Sequence, residues 1–179
     1  MTFLLVLIIA AVLIVVGVRR AVRGFEAEVC DPEQLLGRTH AVDLLAFHNL
    51  IDPDEDAYLR SQLSWFSFLR VRHARYWAAV EYVQMAARNA AILIRLGQTA
   101  QQSKEVRISE AGKQLLTLAI ETRILAGMAI IQLCLALVLP FWKPSLGSVT
   151  QAYTGMRATL DRVVRWQRPE LAGRIRAAV

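Results

Sequence analysis

His40, Asp43 and His48 are the one grouping in the sequence whose residue types suit a metal ion, and their spacing serves an ion badly. On a single helix the two imidazoles stand two turns apart and about 80° apart around the axis, so they converge poorly on one site. The reading is of surface or partly buried histidines with Asp43 solvated. The acidic run Asp52, Asp54, Glu55 and Asp56 lacks the alternating oxygen ligands and the glycine of a calcium loop, and a capped helix start explains it better. There is no GxSxG, no phosphate-binding glycine loop, no GxGxxG and no HExxH, and a serine near a histidine, such as Ser67 and His73, makes no triad. Cys30 and Cys134 are about a hundred residues apart, outside any CxxC pair, and read as reduced thiols. The sequence therefore predicts no enzyme, no metal and no cofactor.

Two other groups of side chains suit surfaces rather than reactions. Trp65, Phe68, Arg72 and Arg75 are spaced i, i+3, i+7 and i+10, mixing large aromatics with guanidinium groups in a stripe that fits a lipid headgroup interface. The alternative is that these aromatics tuck against a neighbouring helix beside solvated arginines. In the tail, Arg162, Arg165 and Arg168 recur at helical spacing against an apolar stripe of Tyr153, Met156, Leu160 and Val163. Such a basic amphipathic helix is expected to lie among headgroups, each cation contributing about 1 kcal/mol on an anionic leaflet. Nucleic acid is not an expected partner, because the arginines are few and no recognised binding fold accompanies them.

The elements that must position these groups are helical. Glycines and prolines, 9 and 5 in number, fall at segment ends, and β-type alternation is absent, so the expected fold class is all-α. Residues 3–18, FLLVLIIAAVLIVVGV, contain no charged or polar side chain and, with the two residues before them, span about 27 Å at ~1.5 Å per residue. Residues 1–20 are expected to persist as an N-terminal transmembrane helix, since no basic residue precedes the run and no small-x-small site follows it. Arg19, Arg20 and Arg23 follow directly and predict the N-terminus outside and residues 19–123 in the cytoplasm, at a plasma or inner membrane.

Residues 31–103 form the expected cytoplasmic helical region. Asp31-Pro32 and, more clearly, Asp52-Pro53-Asp54-Glu55 announce helix starts. From Asp54 the pattern predicts about two dozen helical residues with Leu59, Leu63, Phe66, His73 and Trp77 as the core arc, which places the aromatic–arginine stripe on the opposite side. Ala79, Val83, Ala86, Ala90 and Gly97 line up as a small-residue seam, for packing within the chain or for self-association. Asn89, near the buried side, needs a hydrogen-bond partner. A polar turn near 98–103 leads to a long helix over 104–142, capped by Ser103 or Ser109. On one line of that helix Glu110, Gln114, Thr117 and Glu121 give way to Ile124, Met128, Ile131 and Leu135. Residues 124–142, about 28 Å long and ending in Trp142-Lys143 as interface anchors, are the expected second membrane-spanning segment. The competing arrangement makes 124–139 the central helix of a bundle. Residues 145–179 are the basic tail.

Charge follows this division. The formal net charge is +6, but residues 19–123 hold 14 Lys plus Arg against 13 Asp plus Glu, whereas residues 143–179 hold 7 against 2. With a mean hydropathy of +0.37, the chain reads as a non-catalytic membrane protein acting as an accessory or scaffolding subunit, its partners the lipid bilayer and a membrane protein or a second copy. The alternative is a membrane-tethered regulatory module whose helical bundle recognises a soluble partner.

Overall fold

The computed structural model describes residues 39–139, 142–167, 169–171 and 173–175. Helices α1 (Leu44–Ile51), α2 (Pro53–Gln62), α3 (Trp65–Gln101), α4 (Val106–Val138) and α5 (Gly147–Gln167) are followed by a 3₁₀ turn, Pro169–Leu171. No strand occurs among the described residues. The expected anchor with Arg19, Arg20 and Arg23, Cys30, the Asp31-Pro32 cap, Pro140 and Arg168 lie outside the described residues.

Helix starts follow side-chain chemistry. Asp43 caps α1 by accepting from Leu45 N and Ala46 N, both at 3.0 Å. Asp52 caps α2 as expected, accepting from Asp54 N at 3.0 Å, with Pro53 in the first turn and Asp54, Glu55 and Asp56 at the positive end of the helix. The chain does not, however, stay helical for two dozen residues. Leu63 is extended, at φ −107° and ψ 151°, and Ser64 starts a new helix by accepting from Ser67 N. The break resets the helical phase, and the expected core arc is overturned: Phe66 is 84% exposed, Trp77 48% exposed, and Arg70 and His73 face outward. The inward side of the α3 start is Phe68, Arg72 and Tyr76.

Helices α3 and α4 form an antiparallel hairpin, and α5 packs back along α4. The seam of Ala79, Val83, Ala86, Ala90 and Gly97 is buried within this chain, facing Ala119, Ala126 and Ala129 of α4 among others. Small side chains let the backbones approach closely. A Cβ on Gly97 would lie 3.0 Å from Leu116 N, and one on Gly112 only 2.6 Å from Gln101 N. Neither Ser103 nor Ser109 caps α4. Its N-cap residue is Glu105, without a side-chain bond, while Ser109 Oγ donates to Gln101 O across the turn at 2.8 Å.

Asn89, fully buried, finds the partners its position demands. It accepts from His40 N at 2.9 Å and donates to His40 O at 2.7 Å and to Tyr153 Oη at 2.8 Å, joining the segment before α1 to both α3 and α5. The apolar stripe of α5, Tyr153, Met156, Leu160 and Val163, is core rather than a membrane-facing surface. The tail helix is amphipathic, as the pattern predicts, but its apolar face is already covered by the bundle.

Helix α4 is long and apolar enough to cross a membrane by length and composition. It ends at Val138, with Leu139 as its C-cap, so the expected segment 124–142 is not one helix. Gln132, the strongly polar side chain of that segment, reaches out of the helix and accepts from Ser145 N at 2.9 Å, fixing the start of the α5 connection.

Candidate functional site

At the end of the bundle where α3 begins and α4 ends, α2 leans over a cleft of about 490 Å³. A volume of this size holds a small ligand. Its walls are apolar and aromatic, from Ile51, Pro53, Trp65, Phe68 and Tyr76, and four charged residues enter it: Asp56, Arg60, Arg72 and Lys143.

The floor is an ionic cluster that ties four segments together. Arg72, 6% exposed, lies over the Tyr76 ring at 5.0 Å and donates from Nη2 to the Trp142 carbonyl at 2.8 Å. Its Nε stands 3.6 Å from Asp56 Oδ2, and Arg75 Nη1 stands 3.7 Å from Asp56 Oδ1. These are ion-pair separations, longer than hydrogen bonds. Tyr76 Oη adds a long contact of 3.4 Å to Asp56 Oδ2. Arg75 is more firmly engaged, donating to Asn49 O at 2.7 Å, Leu50 O at 3.3 Å and Glu55 Oε2 at 2.9 Å. It thereby satisfies carbonyls at the end of α1, where a cation also meets the negative end of the helix dipole. One carboxylate shared by two guanidinium groups commits Asp56 to Arg72 and Arg75, and among the described residues the rim cations Arg60 and Lys143 form no salt bridge.

Of the expected interface residues, Trp65, Phe68, Arg72, Trp142 and Lys143 are thus brought to one place, but not as an outward stripe. Phe68 and Arg72 are buried and Arg75 nearly so, which corrects the expectation that this side faces headgroups. Trp65 and Lys143 line the cleft from its exposed edge, Trp65 beneath the Arg60 guanidinium at 5.7 Å, and Trp142 is exposed beside them. Arg162 and Arg165 lie elsewhere, on the outer side of α5, where Arg162 donates to Thr159 Oγ1 at 3.0 Å and Arg165 pairs with Asp161 at 2.8 Å. Asp56 and Arg60 were not singled out as site residues by the sequence. Their signal was present in the spacing Asp56-x-x-x-Arg60, which puts both on one side of α2.

No group of three His, Cys, Asp or Glu side chains that could hold a metal is found among the described residues. His40 and Asp43 are engaged through backbone pairing with Asn89 and through helix capping. The outer face of α4 is a further feature that packing within the described residues leaves uncovered. The line Glu110, Gln114, Thr117, Glu121, then Ile124, Met128, Ile131, Leu135 runs along the side turned away from the core, with Ile120, Ile124, Met128 and Leu139 all well exposed. Comparison with protein-family models, with curated proteins and with solved structures finds no match.

Proposed function

We propose that this protein is a non-catalytic accessory or scaffolding subunit of a membrane assembly. Residues 3–18 anchor it, with the N-terminus outside and the bundle on the cytoplasmic side. The outer face of α4 from Ile120 to Leu139 packs against an apolar helix of a membrane-protein partner. The observation that carries this reading is the exposed apolar line itself: Ile124 is 59% exposed on a helix whose opposite side already fills the core. An exposed stripe of that length on a folded bundle marks an association surface.

The same packing favours one membrane span over two. With Gly97 against Leu116 and Arg72 against Trp142, the antiparallel register places the exposed Glu81 of α3 alongside the apolar stretch of α4. A crossing by α4 would carry that carboxylate to mid-bilayer, where a charge costs about 3 kcal/mol or more. Helix α4 therefore lies along its partner with α3 and α5 on its other side. The charged outer side of α3, Glu81, Arg88 and Arg95, favours a second reading in which the tethered bundle recognises a soluble protein.

The test is the mass of the native protein in a mild detergent. Stoichiometric co-migration with membrane proteins, lost in an Ile124→Glu/Met128→Glu variant that still folds, is the expected result. A lone monomer would sink the scaffold reading, and a soluble co-migrating protein would replace it with the second.

A further inference from the structure

The cleft beneath α2 remains unassigned by the association surface on α4. Three cations and one carboxylate line it. The carboxylate, Asp56, is held between Arg72 at 3.6 Å and Arg75 at 3.7 Å. Glu55 is turned to Arg75 at 2.9 Å, and Asp52 is spent on the α2 cap. Asp54 is exposed at the start of α2 and does not line the cleft. What faces the opening is therefore Arg60 and Lys143, both exposed, above a wall of Trp65, Phe68 and Pro144.

Two cations that form no salt bridge among the described residues, with Arg60 lying over the Trp65 ring at 5.7 Å, fit a ligand with an anionic head and an apolar body. An anion alone leaves the wall unused; an apolar molecule alone leaves the cations without a counter-charge. Position narrows the class. The cleft opens beside the exposed Trp142, immediately beyond the end of the apolar outer line of α4. On a bundle tethered beside the bilayer, an exposed indole next to a lysine suits the membrane surface, where the ring meets the interface and the cation meets anionic headgroups.

We propose that this cleft binds the headgroup phosphate of an anionic phospholipid, with Arg60 and Lys143 as its cationic contacts and Trp65 and Phe68 against the glycerol and the first acyl methylenes. Arg72 ties together the two segments that carry these cations, donating to the Trp142 carbonyl next to Lys143 and pairing with Asp56 one turn before Arg60. The assignment to a lipid rests on the membrane-anchored reading above, while the cationic cleft itself does not.

The test uses the full chain in neutral detergent with Trp77, Trp142 and Trp166, all exposed, changed to Phe, so that emission reports Trp65. Short-chain dihexanoyl phosphatidylglycerol is titrated against dihexanoyl phosphatidylcholine and against inorganic phosphate. The expected result is a saturable Trp65 response to phosphatidylglycerol, at least tenfold weaker with phosphatidylcholine. It should fall at least tenfold in Arg60→Glu/Lys143→Glu and survive in Arg60→Lys. An equal response to inorganic phosphate would overturn the lipid in favour of a free phosphate. Binding unchanged in the charge-reversed variant, or absent in the unaltered cleft, would overturn the site. Co-migration with a partner is read separately through Ile124 and Met128, so the two proposals fail independently.

Discussion

The two halves of α3 are held to the rest of the molecule by opposite means. From Ala79 to Ala100 the helix presents alanines, a glycine, branched aliphatics such as Val83, Leu93 and Leu96, and one neutral amide to α4 and α5, and its single buried polar group, Asn89, has every bond short. From Trp65 to Tyr76 it presents aromatics and two arginines, its ion pairs are long, and a cleft of about 490 Å³ is left open. The first half is specified by shape, which tolerates nothing added. The second is specified by charge, which has reach and tolerates displacement. The ligand proposed for the cleft is assigned to the second half for that reason.

The sharpest way to break this contrast is to add one carbon to the first half. A Cβ at Gly112 would stand 2.6 Å from Gln101 N and 2.8 Å from the Ala100 carbonyl carbon, both backbone atoms that cannot rotate aside. Gly112→Ala is expected to cost about 3 kcal/mol, the upper part of the usual overpacking range. Gly97→Ala, with its nearest backbone contact at 3.0 Å, should cost less. Denaturant unfolding followed by helical circular dichroism measures both, and an unchanged midpoint for Gly112→Ala would refute the close crossing.

Next in size is the amide. Asn89→Leu strands the N–H and C=O of His40 and a bond to Tyr153, and should cost about 2 kcal/mol. A double-mutant cycle with Tyr153→Phe isolates the shared bond. Tyr153 adds a dependence on pH. Burial pushes its phenol above the ordinary value of 10.0, outweighing the opposing effects of the Asn89 bond and the Arg157 charge. The folded state then holds its proton more tightly than the unfolded chain. This stability is present in full below pH 10.0 and is lost as pH rises through the higher folded value. Tyr153→Phe should flatten the alkaline arm of the stability profile, and an unchanged arm would show the phenol to be solvated.

The same two halves differ in how legible they were. The small-residue seam, the need of Asn89 for a partner, the Asp52 cap and the apolar stripe of α5 are local patterns whose meaning does not depend on distant residues. The all-α class came with them. The α3 start is not legible, because nothing local in the sequence marks the helix break at Leu63 and Ser64. An extended residue there shifts the phase and exchanges the inner and outer faces. Charge deepened the error: Arg72 and Arg75 read as outward until Asp56, Glu55 and the carbonyls of Asn49, Leu50 and Trp142 are known to surround them, and none of those is near in sequence. The α5 stripe was found but misassigned, since a basic amphipathic helix looks alike whether lipid or its own bundle covers it.

Within the ionic half, removing the shared carboxylate is the larger perturbation. Asp56→Asn leaves Arg72 with the Trp142 carbonyl and Arg75 with its carbonyls and Glu55, so the expected loss is about 1.5 kcal/mol, below the cost of Asn89→Leu. A loss of 4 kcal/mol or more, of the kind about 3–5 kcal/mol that an orphaned buried charge brings, would mean the arginines have no slack and would erase the contrast.

The smallest effect sharpens it most. Glu55 makes the shortest ion pair of the cluster, 2.9 Å to Arg75, yet its side chain is 50% exposed. Water screens such a pair, and Arg75 keeps the Asn49 and Leu50 carbonyls, so Glu55→Gln should change stability by only about 0.3 kcal/mol. Arg75→Ala, by contrast, uncaps the end of α1 and frees Asp56 from one partner, and should exceed Asp56→Asn. Measured together in low and high salt, the two variants separate what charge contributes from what the carbonyl bonds contribute. Equal losses would place the bond energy in the Glu55 pair, and α2 would then be held over the cleft by a contact that salt removes. Unequal losses, with Glu55→Gln near zero, leave Arg75 and the α1 carbonyls as the fixed hinge post, beside which Arg60 is at liberty to meet an anion.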